Sequence, residues 1–210
     1  MDLALHILLS PDDLSLDEVP SFCAAIRRGG ATVVQLRAKV VPVRTMIAYG
    51  RALRDATREQ GLGFVVNDRL DVAMAVHADG VHVGQDDIPV PLVRAIAPYL
   101  LVGLSVSSQA EAQEALRLRP DYLGVGPVFH TWSKEDAGIP LGEKGLAEIS
   151  TVVQDSLPMV AIGGITSQNA GTVWHYPVSG LAVISAVMGA IDKEDACRKL
   201  CDARKESHHG

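Results

Sequence analysis

The sequence is poor in aromatic residues and in long apolar runs, and each scarcity excludes a class of protein. Phe, Trp and Tyr make up only 4% of the 210 residues although 48% are hydrophobic, so the core must be built from aliphatic side chains. That composition suits packed βα units better than an aromatic-rich antiparallel sandwich. No apolar run approaches the roughly 18 residues of a membrane-spanning helix. We therefore expect no membrane association.

Cysteine and basic residues are also scarce. The three cysteines, Cys23, Cys197 and Cys201, are too few and odd in number for a disulfide framework, which indicates a reducing, cytoplasmic location. The first residues lack the order of basic, apolar and small residues that marks a secretory signal peptide. A net charge of −6 without a basic stripe argues against nucleic-acid binding. Any anion must be bound by a few well-placed cations.

Short apolar runs alternate with amphipathic helical stretches from end to end. Most runs are continuous rather than alternating, which is typical of strands buried on both faces. We predict strands at 3–9, 32–36, 63–67, 80–83, 100–104, 122–125, 159–162 and 180–184, and helices at 16–28, 44–60, 107–118, 146–153, 167–173 and up to about 204. The repeat predicts an α/β protein, a single (β/α)8 TIM barrel over residues 1–210, with a disordered tail from about 205 to 210.

A barrel of this kind carries its functional residues at the carboxyl ends of the strands and in the loops that follow. Gln35, Arg37 and Lys39 are spaced by two at the end of the second predicted strand, so an extended segment points all three the same way. Two cations and an amide that converge at the barrel mouth form a clamp for an anion or a polar ring. A salt-bridged strand end is the alternative.

Acidic segments follow the next two predicted strands. Asn67 and Asp68 follow the third strand, and Asp86 and Asp87 follow the fourth. Because neighbouring strands lie about 4.8 Å apart, these carboxylates can meet. Two carboxylates beside a cationic clamp would repel a diphosphate unless a hard cation lay between them, and Mg²⁺ is commonly held by one or two carboxylates and substrate phosphate oxygens. The alternative for each residue is a helix cap, which for Asp86 and Asp87 would begin a helix at 89–97.

Three later segments are candidates for phosphate binding. The stretch 126–142 is too long for a routine βα loop, and it contains two hydroxyls and an ammonium within four residues. The loops after the seventh and eighth strands are the usual phosphate site of phosphate-binding barrels. The candidates are Thr131, Ser133 and Lys134 in the long stretch, Gly164 after the seventh strand, and Ile184 and Ser185 after the eighth. An ordinary polar loop is the alternative for the long stretch.

Two further features are interpreted as structural. His82 lies on the fourth predicted strand, and we interpret it as a packed or hydrogen-bonded core histidine rather than a base. Cys197 and Cys201 are four apart on a predicted helix and match no standard zinc spacing, so we interpret them as packing residues.

Six segments, in order along nearly the whole chain, resemble the thiamine phosphate synthase family. They are VQLRAK at 34–39, VNDRLDVAMAVHADGVHVGQDD at 66–87, GLSVSSQAEAQEA at 103–115, DYLGVGPVFHTWSK at 121–134, VAIGGITSQNA at 160–170 and LAVISAV at 181–187. The resemblance implies an enzyme that joins 4-amino-5-hydroxymethyl-2-methylpyrimidine diphosphate to 4-methyl-5-(2-phosphoethyl)thiazole and releases thiamine phosphate and diphosphate. It also implies that the C–O bond breaks first, which gives a pyrimidine methylene cation that the thiazole nitrogen captures.

The resemblance assigns roles by matching position. The catalytic residues would be Arg37, Lys39 and Lys134. The pyrimidine diphosphate would be held by Gln35, Arg37, Lys39, Asn67, Ser105 and Lys134, and the thiazole phosphate by Thr131, Ser133, Gly164, Ile184 and Ser185. Asp68 and Asp87 would hold Mg²⁺. The partners would be small phosphorylated molecules, and a homodimer would fit the family.

Three alternatives remain at the level of sequence. The first is a thiazole tautomerase on the same barrel, which would need a general acid–base residue and no metal site for diphosphate. The second is a non-catalytic barrel that senses thiamine precursors, and the third is an unrelated phosphate-binding barrel of tryptophan or histidine biosynthesis. The presence of Asp68, Asp87 and the cations favours the synthase. Two departures from the family pattern are Val40-Val41, where a polar residue is usual, and 176–179, which replace a Gly-Ala-Asp segment.

Overall fold

Eight parallel strands close into a barrel, and the helices lie on its outside. The computed structural model of the chain describes residues 1–131 and 138–207. Each strand pairs with the next, and the eighth pairs back onto the first. The strands are β1 Leu5–Leu9, β2 Val33–Leu36, β3 Gly63–Asn67, β4 Gly80–Val83, β5 Leu101–Val106, β6 Tyr122–Val125, β7 Met159–Ile162 and β8 Gly180–Val183. The predicted (β/α)8 barrel is confirmed.

The helices follow the strands around the barrel. They are α1 Val19–Arg28, α2 Val43–Gln60, α3 Leu70–Ala75, α4 Val90–Ile96, α5 Gln109–Leu118, α6 Gly142–Val153, α7 Ala170–Trp174, α8 Ser185–Met188 and α9 Lys193–Ser207, with a 3-10 turn at Leu16–Glu18. Helix α9 runs three residues past the predicted end near 204, into the stretch predicted as a tail. Within the described ranges, no helix is long and apolar enough to cross a membrane.

Helices α5 and α7 begin later than the sequence pattern predicts, because side-chain hydrogen bonds form a turn before each of them. Helix α5 is capped by Ser108, whose Oγ accepts the Glu111 amide at 3.2 Å, whereas Ser107 instead donates its hydroxyl to the Glu111 carboxylate. Before α7, Asn169 closes a turn by accepting the Thr166 amide at 2.8 Å. Asn and Ser bond the backbone locally, so they favour turns and caps over helix interiors.

The strands separate an outer apolar layer from a more polar barrel interior. In β2, Val34 and Leu36 belong to the large apolar core under the helices, whereas Gln35 between them lines a cavity. Successive side chains of a strand point to opposite faces, so each strand contributes to both layers. A smaller buried cluster, distinct from the core under the helices, consists of Leu8, Tyr122, Val160 and Ala182.

Two matching ion pairs tie neighbouring strands at their amino ends. Asp79, directly before β4, accepts a backbone amide of β3 at 2.8 Å and pairs with Arg54 at 2.8 Å. Asp121, directly before β6, accepts a backbone amide of β5 at 2.6 Å and pairs with Arg94 at 2.8 Å. Before β8 the chain has Ser179 instead, whose amide bonds a β7 carbonyl at 2.7 Å. The amino-terminal face is therefore fixed by side chains between β3 and β6.

We predict that Gly180→Ala destabilises the barrel, because a Cβ atom at Gly180 would overlap the carbonyl oxygen of Leu3 just before β1. The expected loss is about 3 kcal/mol of unfolding free energy, the upper range for overpacking, measured as a lower urea midpoint. Gly171→Ala in α7 is the matched control, because a Cβ there meets nothing within 4 Å. It should gain about 0.5–1 kcal/mol. Equal midpoints for the two variants would contradict the prediction.

Candidate active site

A cavity of about 730 Å³ lies at the carboxyl-terminal mouth of the barrel. It is lined by all the predicted site residues that the structure describes: Gln35, Arg37, Lys39, Asn67, Asp68, Asp87, Ser105, Thr131, Gly164, Ile184 and Ser185. Ser133 and Lys134 lie outside the described residues. The structure therefore brings together side chains from β2, β3 and β5 and from the loops after β4, β6, β7 and β8.

The end of β2 supplies the cationic side of the cavity. Gln35 is almost fully buried inside the barrel, whereas Arg37 is half-buried and Lys39 is exposed at the mouth. The amide of Arg37 bonds the Leu9 carbonyl at 2.9 Å, so the β1–β2 ladder continues one residue past the strand end. Spacing by two along this extended segment places all three side chains at the cavity, as the sequence predicted.

The ends of β3 and β4 supply a pair of carboxylates in mutual contact. Burial, the hydrogen bond with Asp87 and the charge of Asp87 raise the pKa of Asp68 to about 6, against the opposing charges of Lys39 and Arg37. The Asp87 carboxylate also accepts the Gly84 amide at 2.7 Å, which fixes its loop. The two acidic segments therefore meet, as the strand spacing predicted.

The helix-cap alternative for these acidic residues is wrong. Helix α3 is preceded by Arg69 and helix α4 by Pro89, and neither helix end has a side-chain cap. Asp68 instead has a left-handed backbone with a φ of 62°, and its amide bonds the His82 carbonyl at 2.7 Å. Asp tolerates this conformation better than most residues, and such backbone strain is concentrated at ligand sites.

The carboxylate pair fits a divalent cation whose other ligands come from a substrate. Within the described ranges, no three His, Cys, Asp or Glu side chains form a metal-ligating group. Mg²⁺ in nucleotide and phosphate enzymes commonly takes only one or two carboxylates, with phosphate oxygens and waters in the remaining positions. Asp68 and Asp87, in contact beside Arg37 and Lys39, supply that donor set.

The floor of the cavity is a hydrogen-bonded group of three residues, of which only Ser105 was predicted as a site residue. His82 Nε2 lies 2.9 Å from Ser105 Oγ, and His82 Nδ1 lies 3.1 Å from Tyr122 Oη. The interpretation of His82 as a hydrogen-bonded histidine is confirmed, but His82 and Tyr122 also line the cavity. The sequence offered one signal, which was a polar side chain, His82, at an inward-facing position of an otherwise apolar strand. His6 is a residue of the same kind in β1.

Two glycines make room for these rings. A Cβ atom at Gly103 would overlap Tyr122 Cζ and His82 Nδ1, and a Cβ atom at Gly124 would lie 2.7 Å from His82 Cε1. The rings therefore occupy the space that side chains of β5 and β6 would otherwise fill. Their positions inside the barrel are fixed by packing as well as by hydrogen bonds.

The loops after β6 and β7 are packed directly against each other. Gly163 and Gly164 have φ values of 101° and 64°, which favour glycine. A Cβ atom at Gly163 would lie 2.6 Å from Pro127 Cα, and one at Gly164 would overlap the His130 carbonyl oxygen. The glycine pair thus lets the long loop and the loop after β7 approach each other, and both Thr131 and Gly164 line the cavity.

The loop after β8 leads directly into the short helix α8. Ile184 precedes the helix and Ser185 begins it, and both line the cavity. The far end of α8 is fixed by Lys193, whose Nζ donates to the carbonyl oxygens of Met188 at 2.5 Å and Ala190 at 2.6 Å. The three loops predicted to bind phosphate therefore reach the same cavity as the cations and carboxylates.

These features define a class of protein: a (β/α)8 barrel with a ligand cavity of cations, carboxylates and polar rings at the carboxyl ends of its strands. The family model described as thiamine monophosphate synthase matches residues 7–187. The chain belongs to the thiamine monophosphate synthase family.

Individual relatives agree with this assignment. The chain is 52% identical over 179 residues to a thiamine-phosphate synthase of Roseiflexus castenholzii, which covers 85% of this chain and 78% of the relative. It is 44% identical over 202 residues to a thiamine-phosphate synthase of Laribacter hongkongensis, with 95% and 94% covered.

Solved structures give the same result at the level of fold. Thiamine phosphate pyrophosphorylase from Pyrococcus furiosus superposes with a TM-score of 0.86 at 42% identity, covering 98% of this chain and 97% of that one. A 3-hexulose-6-phosphate synthase from Salmonella typhimurium superposes with a TM-score of 0.74 at 16% identity, covering 98% of this chain and all of that one. The second likeness concerns the barrel fold alone.

We predict that Tyr122→Phe destabilises the protein by about 1–2 kcal/mol, because it removes the hydroxyl partner of the His82 Nδ1 atom inside the barrel. The measurement is the free energy of unfolding from urea denaturation. Tyr99→Phe is the matched control, since Tyr99 is 66% exposed and should change stability by less than about 0.5 kcal/mol. A Tyr122 variant as stable as the control would show that this hydrogen bond contributes nothing.

Proposed function

We propose that this protein is a thiamine-phosphate synthase, which condenses 4-amino-5-hydroxymethyl-2-methylpyrimidine diphosphate with 4-methyl-5-(2-phosphoethyl)thiazole. The products are thiamine phosphate and diphosphate. The observation that carries the proposal is that one cavity unites the β2 cations, the carboxylate pair and the three phosphate-loop candidates. Membership of the family supports the same activity.

The chemistry asks little of acid–base groups and much of charge placement. The bond between the pyrimidine methylene carbon and the diphosphate oxygen breaks, and its electron pair leaves on the diphosphate. The lone pair of the thiazole nitrogen then forms the new C–N bond to the methylene cation. The protein must therefore stabilise a departing polyanion, position a nucleophile and exclude water.

The cations at the end of β2 suit the departing diphosphate. We assign Arg37 and Lys39 to the diphosphate, together with Lys134 of the long loop. Arg37 offers a planar fork of donors and Lys39 a mobile point charge, so the two can follow an oxyanion as its charge grows. The uncharged contacts to the pyrimidine diphosphate are assigned to Gln35, Asn67 and Ser105.

The opposite loops suit the phosphate of the thiazole. We assign it to Thr131, Ser133, Gly164, Ile184 and Ser185. Hydroxyls and backbone amides near glycine can approach phosphate oxygens closely. The contact between the loops after β6 and β7 supports this assignment, because it keeps Thr131 and Gly164 at one side of the cavity.

We assign Mg²⁺ to Asp68 and Asp87. The bound ion would neutralise diphosphate charge and so favour its departure. The protein holds the two carboxylates in contact with each other, beside the Arg37 and Lys39 side chains. Contact between two carboxylates is costly unless a metal cation lies between them and the substrate. A homodimer and a cytoplasmic location remain predictions, as does the single domain over residues 1–210.

The direct test is to incubate the purified protein with both substrates and Mg²⁺ and to measure thiamine phosphate. We expect product that EDTA abolishes and that added Mg²⁺ restores. Product formed equally well without metal would refute the assignment of Asp68 and Asp87. If no product formed, turnover of a thiazole phosphate carboxylate would identify a tautomerase, and binding without turnover would identify a sensor.

We predict that Asp87→Asn raises the Mg²⁺ concentration needed for half-maximal turnover about tenfold or more, since a charged ligand is lost while the Gly84 amide still finds an oxygen acceptor. Asp86→Asn is the matched control, because it removes the same charge one residue away at an exposed position. It should shift the Mg²⁺ dependence less than threefold, an effect on the order of 0.5 kcal/mol. Equal shifts would mean that only the general charge of the loop matters.

We also predict that Lys134→Ala lowers kcat much more than it weakens thiazole phosphate binding. Its assigned partner is the diphosphate, whose charge grows as the C–O bond breaks, so the loss should fall on the transition state. Steady-state kinetics with each substrate varied in turn provides the measurement. A variant that lost only thiazole affinity would place Lys134 at the other phosphate.

A further inference from the structure

His6 stands out among the groups at the cavity floor because its Nε2 atom has no hydrogen-bond partner among the described residues. The side chain is only 1% exposed, and it points from β1 into the barrel interior as part of the cavity lining. His6 Nε2 is one of the buried side-chain atoms that make no hydrogen bond within the described part of the chain. Buried polar groups almost always find partners, and an exception calls for a reason.

The neighbours of His6 fix its ring without satisfying that nitrogen. The imidazole meets the Tyr122 ring edge-on, with centroids 5.6 Å apart and planes at 62°. In the strand registers, His6 lies between Val33 of β2 and Ala182 of β8, which are both apolar. The ring is therefore held in place by packing, and its buried Nε2 atom makes no hydrogen bond to the described residues.

The state of the ring defines what it can bind. Burial, with a smaller contribution from the charge of His82, lowers the pKa of His6 to about 3. His6 is therefore neutral near pH 7, and its Nε2 atom can donate or accept one hydrogen bond. A neutral group of this kind can hydrogen-bond an uncharged polar ring as donor or acceptor, and it brings no positive charge to a phosphate.

Position along the cavity selects the same kind of ligand. The Arg, Lys and Asp side chains Arg37, Lys39, Asp68 and Asp87 all follow or end strands at the mouth, whereas the floor around His6 consists of the His82 and Tyr122 rings and aliphatic side chains. A substrate with a charged end and an uncharged ring therefore fits with its ring at the floor. Gln35, which pairs in register with Leu8 two residues after His6, is next to this floor.

The two substrate rings differ in what they can offer. The aminopyrimidine has a polar edge formed by its amino group and the adjacent ring nitrogen, with a second ring nitrogen beyond the methyl-bearing carbon, so it both accepts and donates hydrogen bonds. The thiazole has one ring nitrogen, and its lone pair must remain unshared to form the new bond. Only the aminopyrimidine can therefore hydrogen-bond a floor group without a loss of reactivity.

We propose that His6 Nε2 hydrogen-bonds the polar edge of the aminopyrimidine, which makes His6 a specificity-determining residue for that ring. This inference rests on the proposed function. It assigns to β1 a contact that sequence analysis did not identify, and it accounts for an imidazole nitrogen that residues 1–131 and 138–207 leave without a hydrogen bond.

The test uses substitutions to distinguish the roles of the two imidazole nitrogens, and it uses calorimetric titrations to distinguish the two substrates. His6→Phe keeps an aromatic ring against Tyr122 but has no polar atom. His6→Gln places an amide near the Nε2 position, and His6→Asn places one near Nδ1. Each variant and the wild type are titrated with the pyrimidine diphosphate alone and with the thiazole phosphate alone. Thermal unfolding is recorded for all of them, with the exposed His175→Phe as the matched control.

We expect His6→Phe and His6→Asn to bind the pyrimidine diphosphate about tenfold or more weakly, the cost of one lost hydrogen bond to a desolvated group. His6→Gln should stay within threefold of the wild type, and thiazole phosphate affinity should be unchanged throughout. His6→Phe should unfold at or above the wild-type temperature, because no protein hydrogen bond is lost.

Three outcomes would overturn the inference. Equal pyrimidine affinity in wild type and His6→Phe would show that Nε2 makes no contact. Equal losses of affinity for both substrates, together with a lower unfolding temperature, would show that His6 has a purely structural role. The same conclusion would follow if His6→Gln folded normally and still failed to restore pyrimidine binding. If the wild type makes thiamine phosphate and His6→Phe binds the pyrimidine diphosphate normally, only this inference is refuted. If the wild type neither binds the pyrimidine diphosphate nor forms product, the proposed function is refuted as well.

Discussion

Because all eight strands run in the same direction around a closed barrel, their carboxyl ends meet at one mouth. Residues far apart in the chain, such as Gln35 and Ser185, therefore line one cavity. The site depends on this closure at each point: the carboxylates meet because β3 and β4 are neighbours, and the ring group forms because β4, β5 and β6 are consecutive. The ion pairs of Arg54 and Arg94 act at the opposite end, so the closure is supported away from the ligands.

Charge within the cavity is arranged as a gradient from mouth to floor. Opposite charges sit together at the mouth, where Arg37 and Lys39 act on Asp68. The floor has no Arg, Lys, Asp or Glu side chain among the described residues, and His6 is kept neutral there by burial. This gradient explains how an acidic chain with a net charge of −6 can handle anionic substrates. A few cations in one place are sufficient, because Coulomb attraction is strongest at the short distances that a shared cavity imposes.

Much of the fold could be predicted because buried strands leave a clear signal. The bounds of β3, β4, β6 and β7 agree with the predicted runs, since each run is apolar and ends at a turn or loop residue. Helices α3 and α8 were not predicted, because four to six residues are too few to show a helical period. The cations and carboxylates of the site could be identified because they follow strand ends in the sequence.

The floor of the site could not be predicted in the same way. A continuous apolar run does not reveal which of its residues face the barrel interior, so His6 and Tyr122 gave no sign of sharing a cavity with His82. Their proximity depends on the closure and on the register between strands. The cap roles of Asp68 and Asp87 could be rejected only when the backbone showed other residues before α3 and α4.

Gly103 and Gly124 have a consequence for how this floor can vary among related proteins. Because each glycine has no side chain, a ring from a neighbouring strand fills the space beside it, and ring and glycine pack as one unit. A larger residue at either glycine would require a smaller one at His82 or Tyr122, and a smaller ring alone would leave a void. A substitution at any one of these four positions therefore changes the space available to the others.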